Sequence, residues 1–463
     1  MLRYFRINDP YRLLALLVLM VLACLPILIN SPDLTLQELR DMVVGERVGN
    51  KILYVDLVDR TPPLMAVVDG LLNFVMGRSL FGRHLLALLV LLFQAAYFAV
   101  LLIQNRAYNE NTYVPSLIFG LLCFLSFDLV STSPELFAST LLLFALNNIF
   151  KEIEFRVDRD TIALSLGLFV GLASLIVLSY AIFLPGAILV LILFARTSLR
   201  KIFLVLLGFG LTHGIVFTLY YYYGHTDDLW QNFYLANLRQ ASSLLVNLRT
   251  LAVLGVLPVV YFLISLFMLT RDARFTKYQS QIFQVLFVWL LLATIEVWLE
   301  PGIAPHSFII FLPPLAYFIS HYLLLIRRRA IAEFMLWFLV AGVLFLGAAS
   351  RQDWIPGVEF SRLYVGSSEY DQAIHDKRVM VVGEDPALYR HNSLGGGFYD
   401  WELSRHYFEH PEYYEYVIRM NRAFEEDAPE VIVDNEGRME AVLERLPAVR
   451  QRYVKEGKLY RLR

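Results

Sequence analysis

The sequence predicts a polytopic α-helical membrane protein with a small α/β domain at its C-terminal end. Of its 463 residues, 57% are hydrophobic and only 18% are charged, whereas soluble domains carry about 25% charged residues. Several apolar runs approach the roughly 20 residues that a helix needs to cross a bilayer core. After about residue 350 these runs give way to short β-branched segments separated by polar sequence.

Eleven apolar segments are candidates for membrane helices. They lie at about 12–30, 81–104, 112–127, 133–150, 161–179, 181–196, 202–223, 250–270, 281–299, 306–326 and 331–349. Residues 1–350 therefore form the predicted membrane domain, with outer loops at 31–80 and 224–249. Pro313 and Pro314 predict a kink in the tenth segment. Glu296, late in the ninth, is costly to expose to lipid and should face protein or a cavity.

The basic residues lie on one side of this predicted domain. With a cytoplasmic N-terminus, the loops on that side carry Arg106, Lys151, Arg156, Arg159, Arg196, Arg200, Lys201, Arg271, Arg274, Lys277, Arg327, Arg328 and Arg329. The opposite loops near 128–133, 180 and 299–306 have no Lys or Arg. This is the positive-inside pattern. An odd number of spans then places residues 351–463 outside the cytoplasm.

Two further regions have recognisable patterns. Residues 63–77 are apolar but interrupted by Asp69 and Asn73, which is typical of an amphipathic helix in the membrane interface. The tail, from residue 351 onward, is predicted to contain both strands and helices. Its predicted strands are Arg378–Gly383, Glu430–Asp434 and a closing strand or hairpin at Val454–Leu462, and its predicted helices are Pro411–Glu425 and Arg438–Leu446.

Composition excludes several classes of function. A net charge of −2 argues against nucleic acid as a partner. Cys24 and Cys123 both lie in apolar runs, so neither a disulfide framework nor a thiolate metal site is expected. His225, Asp227 and Asp228 could chelate a metal, but such loop residues are usually solvated. No metal site and no divalent cofactor are expected.

The order of motifs resembles one group of membrane enzymes. A long acidic outer loop follows the first span and ends in Tyr54-Val55-Asp56 and Arg60-Thr61-Pro62-Pro63-Leu64, directly before the predicted interfacial helix. A second acidic residue, Glu135, opens a span after a short outer loop. This arrangement resembles the GT-C superfamily of glycosyltransferases, and within it the dolichyl-phosphate-mannose protein mannosyltransferase and aminoarabinose transferase group.

The resemblance implies a membrane glycosyltransferase in a bacterial inner or plasma membrane. Such an enzyme takes a sugar from a polyprenyl-phosphate donor, inverts the anomeric carbon, and passes the sugar to a lipid, glycan or protein acceptor on the outer face. One departure stands out: where the group has Asp-Glu in the first loop, this sequence has Gln37-Glu38.

Four carboxylates are candidates for the catalytic machinery. Glu38 is the leading candidate for the base that deprotonates the acceptor, and Asp41 or Glu46 could take its place. Glu38 could equally be a solvated loop residue or cap an interfacial helix. Glu135 matches the second acidic position of the group, although the helix dipole alone would favour a carboxylate there. Asp128 competes with Glu135 for the same role.

Four other residues are candidates for substrate and phosphate binding. Asp56 and Arg60 adjoin the Pro-Pro turn, and a guanidinium can bind two phosphate oxygens at once. A local Asp59–Arg60 surface pair is the alternative. His306 opens a helix, whose N-terminal N–H groups favour anions, and Arg239 is a second potential phosphate partner.

Two alternatives to an enzyme stay open. Gln37 is consistent with a catalytically inactive membrane scaffold that binds lipid or partner proteins. A transporter is disfavoured, because buried charges are few and no paired broken helices occur in two matching halves.

Overall fold

The computed structural model describes residues 1–154, 159–195, 197–272, 274–352 and 354–463. Arg156 and Arg196, both used for the predicted orientation, lie outside these ranges. The chain divides into two compact units. The first, here the membrane unit, comprises Met1–Pro32, Ser79–Ile215 and Ala241–Leu363; the second, here the α/β unit, comprises Asp33–Arg78, Val216–Gln240 and Tyr364–Arg463. The division at residue 350 stays a prediction.

Among the described residues, eight helices are long and apolar enough to cross a membrane. They are Arg12–Ile29, Leu80–Gln104, Pro134–Ile153, Leu199–Tyr222, Leu248–Arg271, Lys277–Leu299, Pro305–Leu325 and Arg329–Arg351. Each corresponds to a predicted span, and the protein is accordingly an integral membrane protein.

The other three predicted spans are helical, and the α-helix in each is shorter than the predicted segment. They are Val114–Leu122, Asp160–Ser174, and a 3-10 turn at Leu178–Ile182 continued by the helix Phe183–Phe194. Prolines explain two of the starts, since Pro115 and Pro185 both lie in the first turn of their helices. A proline ring clashes with the carbonyl four residues earlier, so a helix cannot continue through it undisturbed.

The helix type changes just before Pro313 and Pro314, the position of the predicted kink. Residues Pro305–Phe311 form a 3-10 helix, and an α-helix then begins at Leu312. The two prolines lie in the first turn of that α-helix, where a missing N–H costs nothing.

Small residues allow two helices of the membrane unit to pack closely. A Cβ added to Gly167 would lie 2.0 Å from the Val205 carbonyl oxygen, and a Cβ added to Gly208 would lie 2.2 Å from the Leu164 carbonyl oxygen. These glycines let the helices Asp160–Ser174 and Leu199–Tyr222 cross closely, as small residues do in membrane bundles.

The α/β unit contains a five-stranded sheet. The strand order is Ser393–Leu394, Arg378–Val382, Val431–Asp434, Leu459–Leu462 and Tyr453–Glu456, with the first three parallel and the last two forming an antiparallel hairpin. Helices Trp401–Glu409, Tyr414–Glu426 and Met439–Arg445 contribute to a core with the sheet. The predicted parallel strands, closing hairpin and tail helices are therefore confirmed.

The same unit includes the first long loop of the sequence. That loop folds into the helices Leu36–Val48 and Pro63–Met76, and residues 226–239 form a helical run with a central π-helical turn at Trp230–Leu235. The loop is joined to the tail by backbone contacts: Val58 N–H donates to the Gly397 carbonyl at 2.8 Å. Only glycine fits at 397, because its φ is +80° and a Cβ would lie 1.9 Å from the Asp56 oxygen.

Candidate functional site

Glu135 is fixed at the start of a membrane helix. Ser133 caps that helix by accepting a hydrogen bond from the Leu136 N–H, and Pro134 occupies its first position. The Gln94 side chain from the neighbouring helix donates to the Leu136 carbonyl at 2.8 Å. These contacts hold the Glu135 carboxylate at one end of the membrane unit, where it is 6% exposed.

Asp128 and His306 form a second fixed pair in the membrane unit. Asp128 Oδ2 accepts from the His306 backbone N–H at 2.9 Å and lies 2.8 Å from His306 Nδ1. Because an ionised carboxylate only accepts hydrogen bonds, Nδ1 carries the proton. The other ring nitrogen, Nε2, then faces Glu135 Oε2 at 3.8 Å, which is too long for a hydrogen bond.

Glu300 completes the cluster. It directly follows the helix Lys277–Leu299, and one ligand atom each from Glu135, Glu300 and His306 lie within 4.8 Å of one another. All three residues are buried. Burial raises the pKa of the Glu300 carboxyl well above its ordinary value, and the charges of Glu135 and Glu296 raise it further. Negative charge is therefore poorly compensated at this point.

Glu296 extends the polar region into the preceding helix. Its side chain is fully buried and accepts a hydrogen bond from Ser179 Oγ at 2.7 Å. The prediction that Glu296 faces protein rather than lipid is confirmed. Tyr180, also fully buried, lies next to Ser179 in the chain.

An apolar groove of the membrane unit is lined in part by residues that neighbour this cluster in the chain. Its volume is about 440 Å³, and its walls come mainly from the helices Leu248–Asp272, Lys277–Leu299 and the segment after Pro305. The lining residues that adjoin the cluster in the chain are Ser126 and Leu129 around Asp128, and Pro305 and Phe308 around His306. The polar, acidic cluster and the apolar groove thus use neighbouring residues of one unit.

The three first-loop carboxylates lie in the α/β unit and have local partners there. Glu38 forms a capping box: its Oε2 accepts from the Thr35 N–H at 3.1 Å and the Thr35 hydroxyl at 2.9 Å. Asp41 accepts from the Gln37 amide at 2.8 Å. Glu46 forms a bidentate pair with Arg78. The catalytic roles predicted for them stay predictions.

Arg60 is bound by carboxylates of the tail. Its Nε and Nη2 bond Asp400 at 2.5 and 2.8 Å, and Nη2 also reaches Glu402 at 2.7 Å. Asp59 accepts a hydrogen bond from Arg40 at 2.9 Å, whereas the neighbouring Arg60 pairs with Asp400. In the described contacts, therefore, the predicted local Asp59–Arg60 pair is wrong. Burial of Asp400 opposes its ionisation, but the hydrogen bond from Arg60 and the charges of Arg40 and Arg60 outweigh it and lower its pKa.

Tyr54 has a strained backbone beside a second pocket. Its φ is +70°, which is unusual for a bulky residue and is often found near functional sites. Arg419 donates to the carbonyls of Tyr54 and Val55 at 2.5 and 2.7 Å. Asp56 and Arg419 line an adjoining pocket of about 190 Å³. Arg239, at the end of a short helix in the same unit, is exposed.

The structure thus brings together only part of the predicted site within one unit. Glu135, Asp128 and His306 meet in the membrane unit, whereas Glu38, Asp41, Glu46, Asp56, Arg60 and Arg239 belong to the α/β unit. Sequence reasoning missed Glu300. A usable signal was present, because Glu300 stands directly at the outer end of a predicted span, before Pro301-Gly302.

Comparison with known proteins identifies the fold. No family model and no curated protein matches the sequence. Solved structures do match it. One is ArnT from Cupriavidus metallidurans bound to undecaprenyl phosphate, with 12% sequence identity over 96% of this chain and 97% of that chain and a TM-score of 0.55. Another is the archaeal oligosaccharyltransferase AglB from Archaeoglobus fulgidus in complex with an inhibitory peptide and a dolichol-phosphate, with 10% identity over 96% of this chain and 72% of that chain and a TM-score of 0.50. The chain therefore has the GT-C fold that the sequence analysis expects.

Proposed function

We propose that this protein transfers a sugar from a polyprenyl-phosphate donor to an acceptor hydroxyl on the outer face of the membrane. One observation carries the proposal: the apolar groove and the buried cluster of Glu135, Glu300 and His306 are built from adjoining residues of one unit. A lipid-linked sugar needs this pairing of chemistries, since its tail is apolar while its reacting end is polar and charged. The lipid phosphates bound by the two structural neighbours support the same class of donor.

Glu135 is the residue that we assign as general base. Its Oε2 atom is buried and lacks a hydrogen-bond partner among the described residues, so it is able to accept a proton. In the reaction, Glu135 takes the proton from the acceptor hydroxyl as the acceptor oxygen attacks the anomeric carbon. The bond from that carbon to the phosphate oxygen breaks, and the lipid phosphate leaves with the bonding electrons. Attack opposite to the leaving phosphate inverts the anomeric carbon.

Glu38 is the less favoured base. Its Oε2 atom already accepts two hydrogen bonds from Thr35 as part of a helix cap, a structural role that accounts for its burial. The same observation favours the second candidate function, a lipid-binding membrane protein without transferase activity. Both candidates require a polyprenyl phosphate to enter the groove, and they differ in whether Glu135 is needed for turnover.

The groove can be tested by filling it. Leu254 lines the groove and is 7% exposed, whereas Val256 on the same helix is 54% exposed and does not line it. We expect Leu254→Trp to weaken binding of undecaprenyl phosphate at least tenfold and Val256→Trp to leave it unchanged. The measurement is equilibrium binding of labelled undecaprenyl phosphate to the purified protein in nanodiscs, with dioleoyl phosphate as the competitor. Equal binding by both variants would show that the lipid does not use this groove, and the proposed function would fail.

A further inference from the structure

We propose that the pocket beside Tyr54 in the α/β unit binds one neutral sugar unit of a glycan acceptor. Its role as an acceptor site rests on the proposed function, whereas the binding of a sugar rests on the pocket itself. The pocket has a volume of about 190 Å³, and every residue that lines it belongs to the α/β unit. A single water molecule needs only about 10–15 Å³, so the pocket has room for a small molecule.

The lining of the pocket combines apolar and charged side chains. Val58, Phe398 and Ile418 are among its apolar residues, while other lining residues carry charge of either sign. A sugar ring has an apolar face of C–H groups and an edge of hydroxyls, and each hydroxyl both donates and accepts hydrogen bonds. Carboxylates can accept from such hydroxyls, and ammonium or guanidinium groups can donate to them. The two kinds of surface in the pocket therefore match the two kinds of surface of a sugar.

Lys51 is the residue of the pocket that most clearly lacks a partner. Its side chain is only 10% exposed, and the described contact of its ammonium is an ion pair with Glu426 at 3.7 Å, which is too long for a hydrogen bond. An ammonium has three N–H donors, and burying a charged group without hydrogen bonds is costly. Because Lys51 lines the pocket, the oxygens of a ligand bound there would satisfy these donors.

Asp56 and Arg422 supply a second open pair. Arg422 Nη2 lies 3.6 Å from Asp56 Oδ1, again beyond hydrogen-bond distance. The other carboxylate oxygen of Asp56 accepts from the Ile52 N–H at 3.1 Å, which fixes the side chain. In the described contacts, Oδ1 of Asp56 is thus an open acceptor beside an open guanidinium donor, and one sugar hydroxyl could bond to both. This pairing gives the substrate-binding role predicted for Asp56 a specific class of ligand.

The wall of the pocket is held by its own hydrogen bonds. Arg419 donates to the Tyr54 carbonyl at 2.5 Å and to Asp228 at 2.8 Å, and Asp228 also contacts His225 Nδ1 at 3.0 Å. These contacts join the first loop, the outer segment around residue 228 and a helix of the tail. They also hold Tyr54 at its φ of +70°, and such strained residues cluster at ligand sites. A wall that is already ordered loses little entropy when a ligand binds.

The charge balance of the pocket favours a neutral acceptor sugar. Three cationic residues (Lys51, Arg419 and Arg422) and four acidic residues (Asp56, Asp228, Glu415 and Glu426) line it, together with His225. A phosphate or another strong anion would meet the acidic residues as well as the cationic ones. The proposed function also places the lipid phosphate of the donor in the membrane unit, which leaves this pocket to the acceptor.

The test is binding of neutral saccharides to the full-length protein in nanodiscs. The probes are the methyl glycosides of glucose, galactose, mannose, rhamnose and N-acetylglucosamine, titrated by saturation-transfer-difference NMR. We expect the wild type to bind at least one of them. Lys51→Met and Arg422→Gln should each weaken that binding roughly tenfold, the effect of losing one hydrogen bond to a charged group. The matched control is Lys377→Met, because Lys377 lies in the same unit, pairs with Glu430 and is not among the residues that line the pocket.

Arg422→Gln keeps the test meaningful if Lys51→Met fails to fold, since the Arg422 side chain is 54% exposed. Wild-type protein that binds none of the probes, or an Arg422→Gln variant that binds them as the wild type does, would overturn the pocket proposal. The lipid measurement with Leu254→Trp is independent of this result. If saccharide binding depends on Arg422 while Leu254→Trp leaves lipid binding unchanged, the sugar pocket stands and the proposed function fails.

Discussion

At the scale of single residues, the structure separates carboxylates that hold the fold from carboxylates that are available for chemistry. Glu38 and Asp400 accept several hydrogen bonds from neighbouring groups. Glu135 and Glu300 are just as buried, and each has an oxygen without a hydrogen-bond partner among the described residues. Other buried polar atoms of the described chain share that property, but these two lie together beside His306, and this clustering marks the candidate site.

Asp400 gives the α/β unit a predictable response to acid. Because Arg60 and Arg40 lower its pKa in the folded state, and an unfolded aspartate titrates near pH 4, ionised Asp400 stabilises the fold above about pH 4. This stability is lost as the pH falls through the lower, folded pKa. We expect Asp400→Asn to lower the unfolding temperature of the detergent-solubilised protein at pH 7, and the difference from wild type to shrink toward pH 3.

The matched control is Glu402→Gln. Glu402 bonds the same guanidinium but its side chain is 63% exposed, so its loss should lower the free energy of unfolding by no more than about 1 kcal/mol. A pH-independent effect of Asp400→Asn would contradict this interpretation.

At the scale of elements, the sequence predicts the type of secondary structure, because that depends on local composition. Every predicted span is helical, and the strands Arg378–Val382 and Val431–Asp434 pair in parallel as expected. Helix lengths are less predictable, because Pro115 and Pro185 set helix starts inside continuous apolar runs. Pairings across the chain are not predictable at all from one sequence: Asp400 carries no local signal that Arg60, 340 residues away, is its partner. For the same reason, the meeting of Glu300 with Glu135 and His306 required the fold.

The contact between the first loop and the tail strands depends on one glycine. Gly397 has φ +80°, and an added Cβ would lie 1.9 Å from the Asp56 carbonyl oxygen. Gly437 has a similar φ of +68° but nothing within 4 Å of that position. We expect Gly437→Ala to destabilise by about 1 kcal/mol through backbone strain alone, and Gly397→Ala to destabilise clearly more. The measurement is thermal unfolding of the full-length protein followed by tryptophan fluorescence, and equal effects of both substitutions would show that the close approach is not needed.

At the scale of the whole molecule, each of the two units has its own set of candidate functional features. The membrane unit holds the groove and the cluster of Glu135, Glu300 and His306. The α/β unit, assembled from three separate stretches of chain, holds the strained Tyr54, the ion pairs of Arg60 and a smaller polar pocket. The GT-C fold accounts for this architecture. The donor chemistry that we propose depends on the membrane unit alone.

The most direct test of that chemistry measures lipid-linked sugars in cells. Polyprenyl-phosphate sugars would be quantified by mass spectrometry in membranes from a strain that lacks this protein, complemented with the wild type, Glu135→Gln or Glu154→Gln. Glu154 is a carboxylate at the opposite end of the same helix. Loss of a general base costs roughly 10²–10⁴-fold in rate, so we expect one lipid-linked sugar to accumulate with Glu135→Gln, as in the deletion strain, and to be consumed with the wild type and Glu154→Gln. If no lipid-linked sugar differs among these strains, or if Glu135→Gln consumes it as the wild type does, the account of this protein as a transferase that uses Glu135 is contradicted.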